Sequence, residues 1–138
     1  MERPLTEYRT LLSKYYGLVE LTDAELNEAI ENLSAAIENI ESAMDYIKSQ
    51  KVMGDRINCW IENYGDLYGF NCNCPQCCQL ANELNRLTTK MMNLDCQALM
   101  ASKNACFSLK ESRSINHQAT TLKRKYDTCI QPHNGLEI

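Results

Sequence analysis

Glycine and proline are scarce in this chain of 138 residues, five of the first and three of the second. Both interrupt helices. Their scarcity, beside an aromatic fraction of 7% and recurrent Glu, Lys, Leu, Asn and Ala, makes a helical composition. Long apolar runs are missing too. None approaches the roughly 18 residues of a membrane span. The opening MERPLTEYRT lacks the apolar centre of a signal peptide, so the chain reads as intracellular or as a mature form whose leader has been removed. Histidine occurs only at His117 and His133, and no GxSxG, HExxH, Walker A or dinucleotide glycine pattern is present. Neither an enzyme nor a cofactor is expected. A dense basic patch is also lacking, which argues against nucleic acid as a partner.

What charge there is lies unevenly. The formal net charge is -4; residues 1–58 carry six Lys or Arg against eleven Asp or Glu, whereas residues 103–129 carry six against two. Oppositely charged faces of one bundle, set side by side, account for this. Glu25, Glu28, Glu31, Glu38, Glu41 and Asp45 read as a solvated face rather than a pair of catalytic carboxylates. Lys110, Arg113, Lys123, Arg124 and Lys125 read as a solvating basic face. Asn32-Leu33-Ser34 is a glycosylation sequon in mid-helix.

Apolar spacing supplies the elements. Leu5, Tyr8, Leu12 and Tyr15 recur at three and four residues, and Gly17 follows as a stop, which predicts a short first helix. Thr22 with Glu25 forms a capping box and opens a long helix. Its seam is Leu26, Ile30, Leu33, Ile37, Ile40, Met44 and Ile47, flanked by Ala29, Ala36 and Ala43 and ended by Gly54. Ile57, Trp60, Ile61 and Tyr64 add two helical turns, and residues 65–74 read as a loop. Pro75 suits the first position of a second long helix, with Leu80, Leu84, Leu87, Met91, Leu94 and Ala98 as its seam. Ser108 and Glu111 form another capping box before a third, carried by Ile115, Ala119, Leu122, Tyr126 and Cys129. The expected fold is a single all-α domain over residues 1–138: a disulfide-stapled bundle of three long helices and one or two short ones, monomeric, with residues 131–138 as a frayed tail.

Eight cysteines are the exception to this plain composition, and four of them fall in NCNCPQCCQL at 71–80. Cys74 and Cys77 make half of a zinc site, and Cys59 or Cys96 would have to complete it. Disulfides fit the geometry better. With residues 75–130 as an antiparallel hairpin turning near 101–107, Cys74 meets Cys129 and Cys96 meets Cys106. Cys59, Cys72, Cys77 and Cys78 then pair among themselves and tie down the Tyr64–Phe70 loop. An even count with such a scheme favours an oxidising compartment and a secreted protein. Tyr64, Leu67, Tyr68 and Phe70, held between glycines and cysteines, form the expected partner-binding surface, because a cross-linked loop loses less entropy on binding. Rings that plug the end of the bundle are the competing expectation.

The series Cys74, 21 residues, Cys96, 9 residues, Cys106, 22 residues, Cys129 is similar to that in the C-terminal domain of the mosquito salivary aegyptin and anopheline antiplatelet family of collagen-binding proteins. TEYRTLL at 6–12 and KRKYDTC at 123–129 resemble the opening and closing segments of that domain. The family's long Gly/Glu-rich acidic arm is missing here, and four of the cysteines lie outside the shared series. The resemblance implies a secreted salivary protein of a blood feeder that occupies host collagen and inhibits platelet adhesion and aggregation. A complement inhibitor or a scavenger of lipid mediators belongs to the same secreted class. The alternative from another class is an intracellular assembly module that uses the 26–47 seam, with zinc on Cys72, Cys74, Cys77 and Cys78.

Overall fold

The computed structural model describes residues 2–69 and 75–130. Among them the protein is all-α without a strand. Helix α1 spans Glu2–Tyr64, a 3-10 turn spans Gly65–Tyr68, and helix α2 spans Pro75–Ile130. Two long helices therefore stand where three long and one or two short ones are expected. The stop at Gly17, the start at Thr22, the end at Gly54, the turn at 101–107 and the start at Ser108 all fall inside continuous helix.

The reason lies in what capping residues can also do. Thr22 donates its hydroxyl to the Leu18 carbonyl at 2.8 Å, the back-bond by which a hydroxyl residue is accommodated in mid-helix. A glycine inside a helix costs only about 1 kcal/mol relative to alanine, and packed rows on both sides of Gly17 and Gly54 offset it. A capping motif marks where a helix can begin. Whether it does depends on what packs beyond it.

Two compact units divide the chain: Met1–Ser34 with Asn104–Ile138, and Ala35–Lys103. In the first unit α1 and α2 run antiparallel, with Tyr16 against Asp127, Asp23 against Arg113 and Ser34 against Cys106. Ile30 and Cys106 are buried there. In the second unit the buried apolar side chain is Ile47, and Gly65 is buried at the start of the 3-10 turn.

The expected α1 seam holds: Leu26, Ile30, Leu33, Ile37, Ile40, Met44 and Ile47 are all buried or half-buried. Near the N-terminus it steps by four rather than three, so that Tyr16 is half-buried while Tyr15 is exposed. On α2 the expected seam is displaced. Leu80, Leu84, Leu87, Met91 and Leu94 are exposed, as are Ile115, Leu122 and Tyr126. The half-buried row lies one residue later, at Thr88, Met92, Asp95 and Leu99 in one unit and Leu109, Arg113, Asn116, Thr120, Lys123 and Asp127 in the other. One residue is a rotation of about 100° on a helix. In the first unit the cause is polar: Arg113, Asn116 and Asp127 all bond to α1, and those bonds require this row to face it.

The disulfide scheme needs the same correction. Cys96, Cys106 and Cys129 carry free thiols. Helix α2 is unbroken between Cys96 and Cys106, which at 1.5 Å per residue sets them about 15 Å apart, too far for a bridge. Cys59 and Cys78 are free as well, and Cys77 is disulfide-bonded. Among the described residues no two cysteines stand at disulfide distance. Phe70, Cys72, Cys74, His133 and the expected frayed tail lie outside the described residues.

Candidate functional site

The end of α1 gathers the largest aromatic side chains of the second unit. Trp60 and Tyr64 lie one helical turn apart, ring centroids 6.0 Å from each other at 45°. The 3-10 turn then folds Tyr68 back over Trp60, where the two rings stack at 5.6 Å and 27°. Gly69 closes that turn with φ 78°, its N–H donating to the Gly65 carbonyl. A left-handed residue is needed there, and glycine supplies it without strain. Tyr68 and Leu67 are 67% and 79% exposed, so neither fills a core. Tyr64 and Tyr68 thus sit together at the surface with Trp60 as the common neighbour, and Leu67 is exposed in the turn between them. Trp60 itself is exposed to 42%. Its place beside Tyr64 follows from the four-residue step between them on one helix face.

Stacked rings of this kind offer a flat apolar surface with polar hydroxyl edges. Such platforms take extended proline-rich chains, whose polyproline II conformation is already ordered before binding.

A second constellation occupies the first unit. Arg113 donates through Nε to Asp23 Oδ1 at 2.7 Å and through Nη2 to Oδ2 at 3.2 Å, while its Nη1 reaches Asn27 Oδ1 at 3.0 Å. His117 Nε2 lies 2.7 Å from the same Asp23 Oδ1. The Arg113 guanidinium, with His117 adding to it against partial desolvation, holds the Asp23 carboxyl down at about 2. Asp23 is therefore a fixed anion at neutral pH and a poor proton donor. His117, Ser114, Gln118, Thr121 and Leu122 line a hollow open to solvent.

Nearer the termini, Tyr16 donates its hydroxyl to Asp127 Oδ2 at 2.6 Å, and Lys123 pairs with Asp127 along the helix. Lys123 Nζ also stands 5.5 Å over the Tyr15 ring and 5.4 Å over Tyr126, and Arg124 lies 5.4 Å over Tyr16. Of the basic face expected only to solvate, Arg113, Lys123 and Arg124 instead hold aromatic and acidic partners. The acidic row of α1, Glu25 through Asp45, is exposed as expected. The Asp23–Arg113 pair escapes a sequence reading because 90 residues separate its members. Polar residues recurring one position after the α2 seam were the available clue.

No protein-family model, no curated protein and no solved structure matches this chain. Among the described residues no group of three or more His, Cys, Asp or Glu is placed to hold a metal ion, and no helix is long and apolar enough to cross a membrane.

Proposed function

We propose that this chain is a binding protein that acts by occupying a partner, with Trp60, Tyr64, Leu67 and Tyr68 as its contact surface. The stack of Tyr68 on Trp60 carries this reading: it holds Tyr68, a large ring with few rotors, at the surface with two thirds of its area exposed, where a partner can cover it. The ligand we propose is extracellular collagen, with inhibition of platelet adhesion and aggregation as the consequence. Two independent supports converge on it. One is the resemblance of the cysteine series; the other is that collagen chains are polyproline II helices rich in proline, the chemistry an exposed aromatic platform accepts. A secreted location goes with that ligand. The disulfide at Cys77 supports it, and the five free thiols do not.

The assembly module of the alternative reading has less support, because residues of the 26–47 seam are already buried or half-buried within the chain. Of its zinc set, Cys77 is disulfide-bonded and Cys78 carries a free thiol, and Cys72 and Cys74 lie outside the described residues.

Surface binding to immobilised fibrillar collagen is the direct test. Wild type should bind, and Tyr68→Ala should bind at least about tenfold more weakly, one ring contact being worth of the order of 1.4 kcal/mol or more, while melting close to wild type. Equal binding by the two proteins would remove the site, and no binding by either would remove the ligand.

A further inference from the structure

Among the described residues the displaced α2 seam leaves a face without a partner. In the second unit its row Leu84, Leu87, Met91 and Leu94 is exposed, Leu84 to 66%. On α1 Tyr46 and Met53 are likewise exposed, each one position before an inward residue, Ile47 and Gly54, and Ile57 is exposed one turn further on. Between antiparallel helices, stepping back one residue turns opposite ways when both are viewed from the same end, so the two rows come to the same side. Ile57, Leu84 and Met91 line one hollow of about 520 Å³ together with Gly54 and Thr88, and Lys51 and Asp55 stand at its edge. None of the seven side chains is charged.

We propose that this face is closed by the same face of a second copy of the chain, which completes a four-helix bundle around residues 46–94. Two observations select that occupant. The first is angular. Each helix presents its free row about 100° from the row that meets its partner. A helix in a square of four has neighbours about 90° apart, whereas three helices in a triangle stand about 60° apart, so the step fits a second hairpin rather than a single added helix. The second is area. Half-exposed side chains of this size leave about 100 Å² each, hence about 700 Å² per chain, close to the roughly 800 Å² that each partner contributes to a standard interface. A copy of the chain brings two uncharged rows at the required spacing, and a two-fold axis lets each cover the other. The monomer expected from the α1 seam satisfies only that seam.

Sedimentation equilibrium tests the proposal, with the free thiols capped by iodoacetamide so that they cannot link chains while the Cys77 disulfide stays intact. The wild type should sediment at twice the chain mass, and its melting temperature should rise with protein concentration. Leu84→Glu with Met91→Glu should sediment as one chain with its helical circular dichroism retained, since both side chains are exposed in the single chain. Leu84→Gln with Met91→Gln should weaken the dimer at least about tenfold, about 1.4 kcal/mol. A wild type that stays monomeric at about 100 μM with a concentration-independent melt overturns the proposal, as does a dimer that either double variant leaves intact. If the glutamate variant loses its helix, a concentration-dependent wild-type melt supports the proposal and a concentration-independent one overturns it. Because Tyr68 lies outside both rows, Tyr68→Ala should leave the dimer intact whatever it does to collagen binding.

Discussion

Asp23 and Arg113 meet across the first unit in a two-pronged pair, Nε to Oδ1 at 2.7 Å and Nη2 to Oδ2 at 3.2 Å. A planar guanidinium and a carboxylate in this register fix each other's orientation as well as their charge. The pair also anchors the rotation of α2, since turning the helix by one residue would remove Arg113 from its reach.

Acid should release it. Asp23 has its carboxyl lowered from an ordinary 3.8 to about 2, first by the hydrogen bonds from Arg113 and then by His117. A carboxyl depressed on folding stabilises the folded state above its unfolded value and loses that contribution as pH falls through the folded one. The melting temperature should therefore drop between about pH 4 and pH 2, and Asp23→Asn should flatten that part of the curve. A wild-type acid limb identical to that of the variant would show the pair contributes nothing.

At the alkaline end Tyr16 gives the opposite sign. Its phenol is raised, chiefly by the bond to Asp127, so its contribution is full below about pH 10 and lost as pH rises through the higher folded value. Tyr16→Phe should lower the neutral-pH melting temperature and leave less alkaline dependence. Differential scanning calorimetry from pH 7 to 11 reads both.

Thiol chemistry checks the continuity of α2. Exposed Cys59, Cys78, Cys96 and Cys129 should react promptly with a maleimide under native conditions, and Cys106, buried to 6% exposure, should lag them by about tenfold or more. Peptide mapping without reduction should find Cys96 and Cys106 unlinked. A bond between them is incompatible with an unbroken helix.

Core and surface should separate cleanly in the second unit. Ile47→Ala removes a buried side chain and should cost about 2–4 kcal/mol. Tyr68→Ala removes an exposed ring and should cost well under 1 kcal/mol, a typical surface value being within about 0.5. Urea unfolding of the two variants makes the comparison; similar costs would mean the ring is structural after all.

Composition and spacing determine by themselves that the protein is all-α, and the seam from Leu26 to Ile47 is legible because seven apolar residues at alternating four and three admit only one inward face. Helix number is not legible in the same way. Thr22, Gly17, Gly54 and Ser108 each permit an end, and each is overruled because a continuing row packs against the opposite helix. Tertiary structure alone decides which row of α2 faces inward. Its most apolar row points out, while Arg113, Asn116 and Asp127 turn toward α1, because hydrogen bonds between residues 90 or more apart carry no local signature. The aromatic end was legible as a cluster, Tyr64, Leu67 and Tyr68, but not its exposure. That depends on how the 3-10 turn lays Tyr68 over Trp60, a placement settled by a left-handed Gly69 rather than by any periodicity.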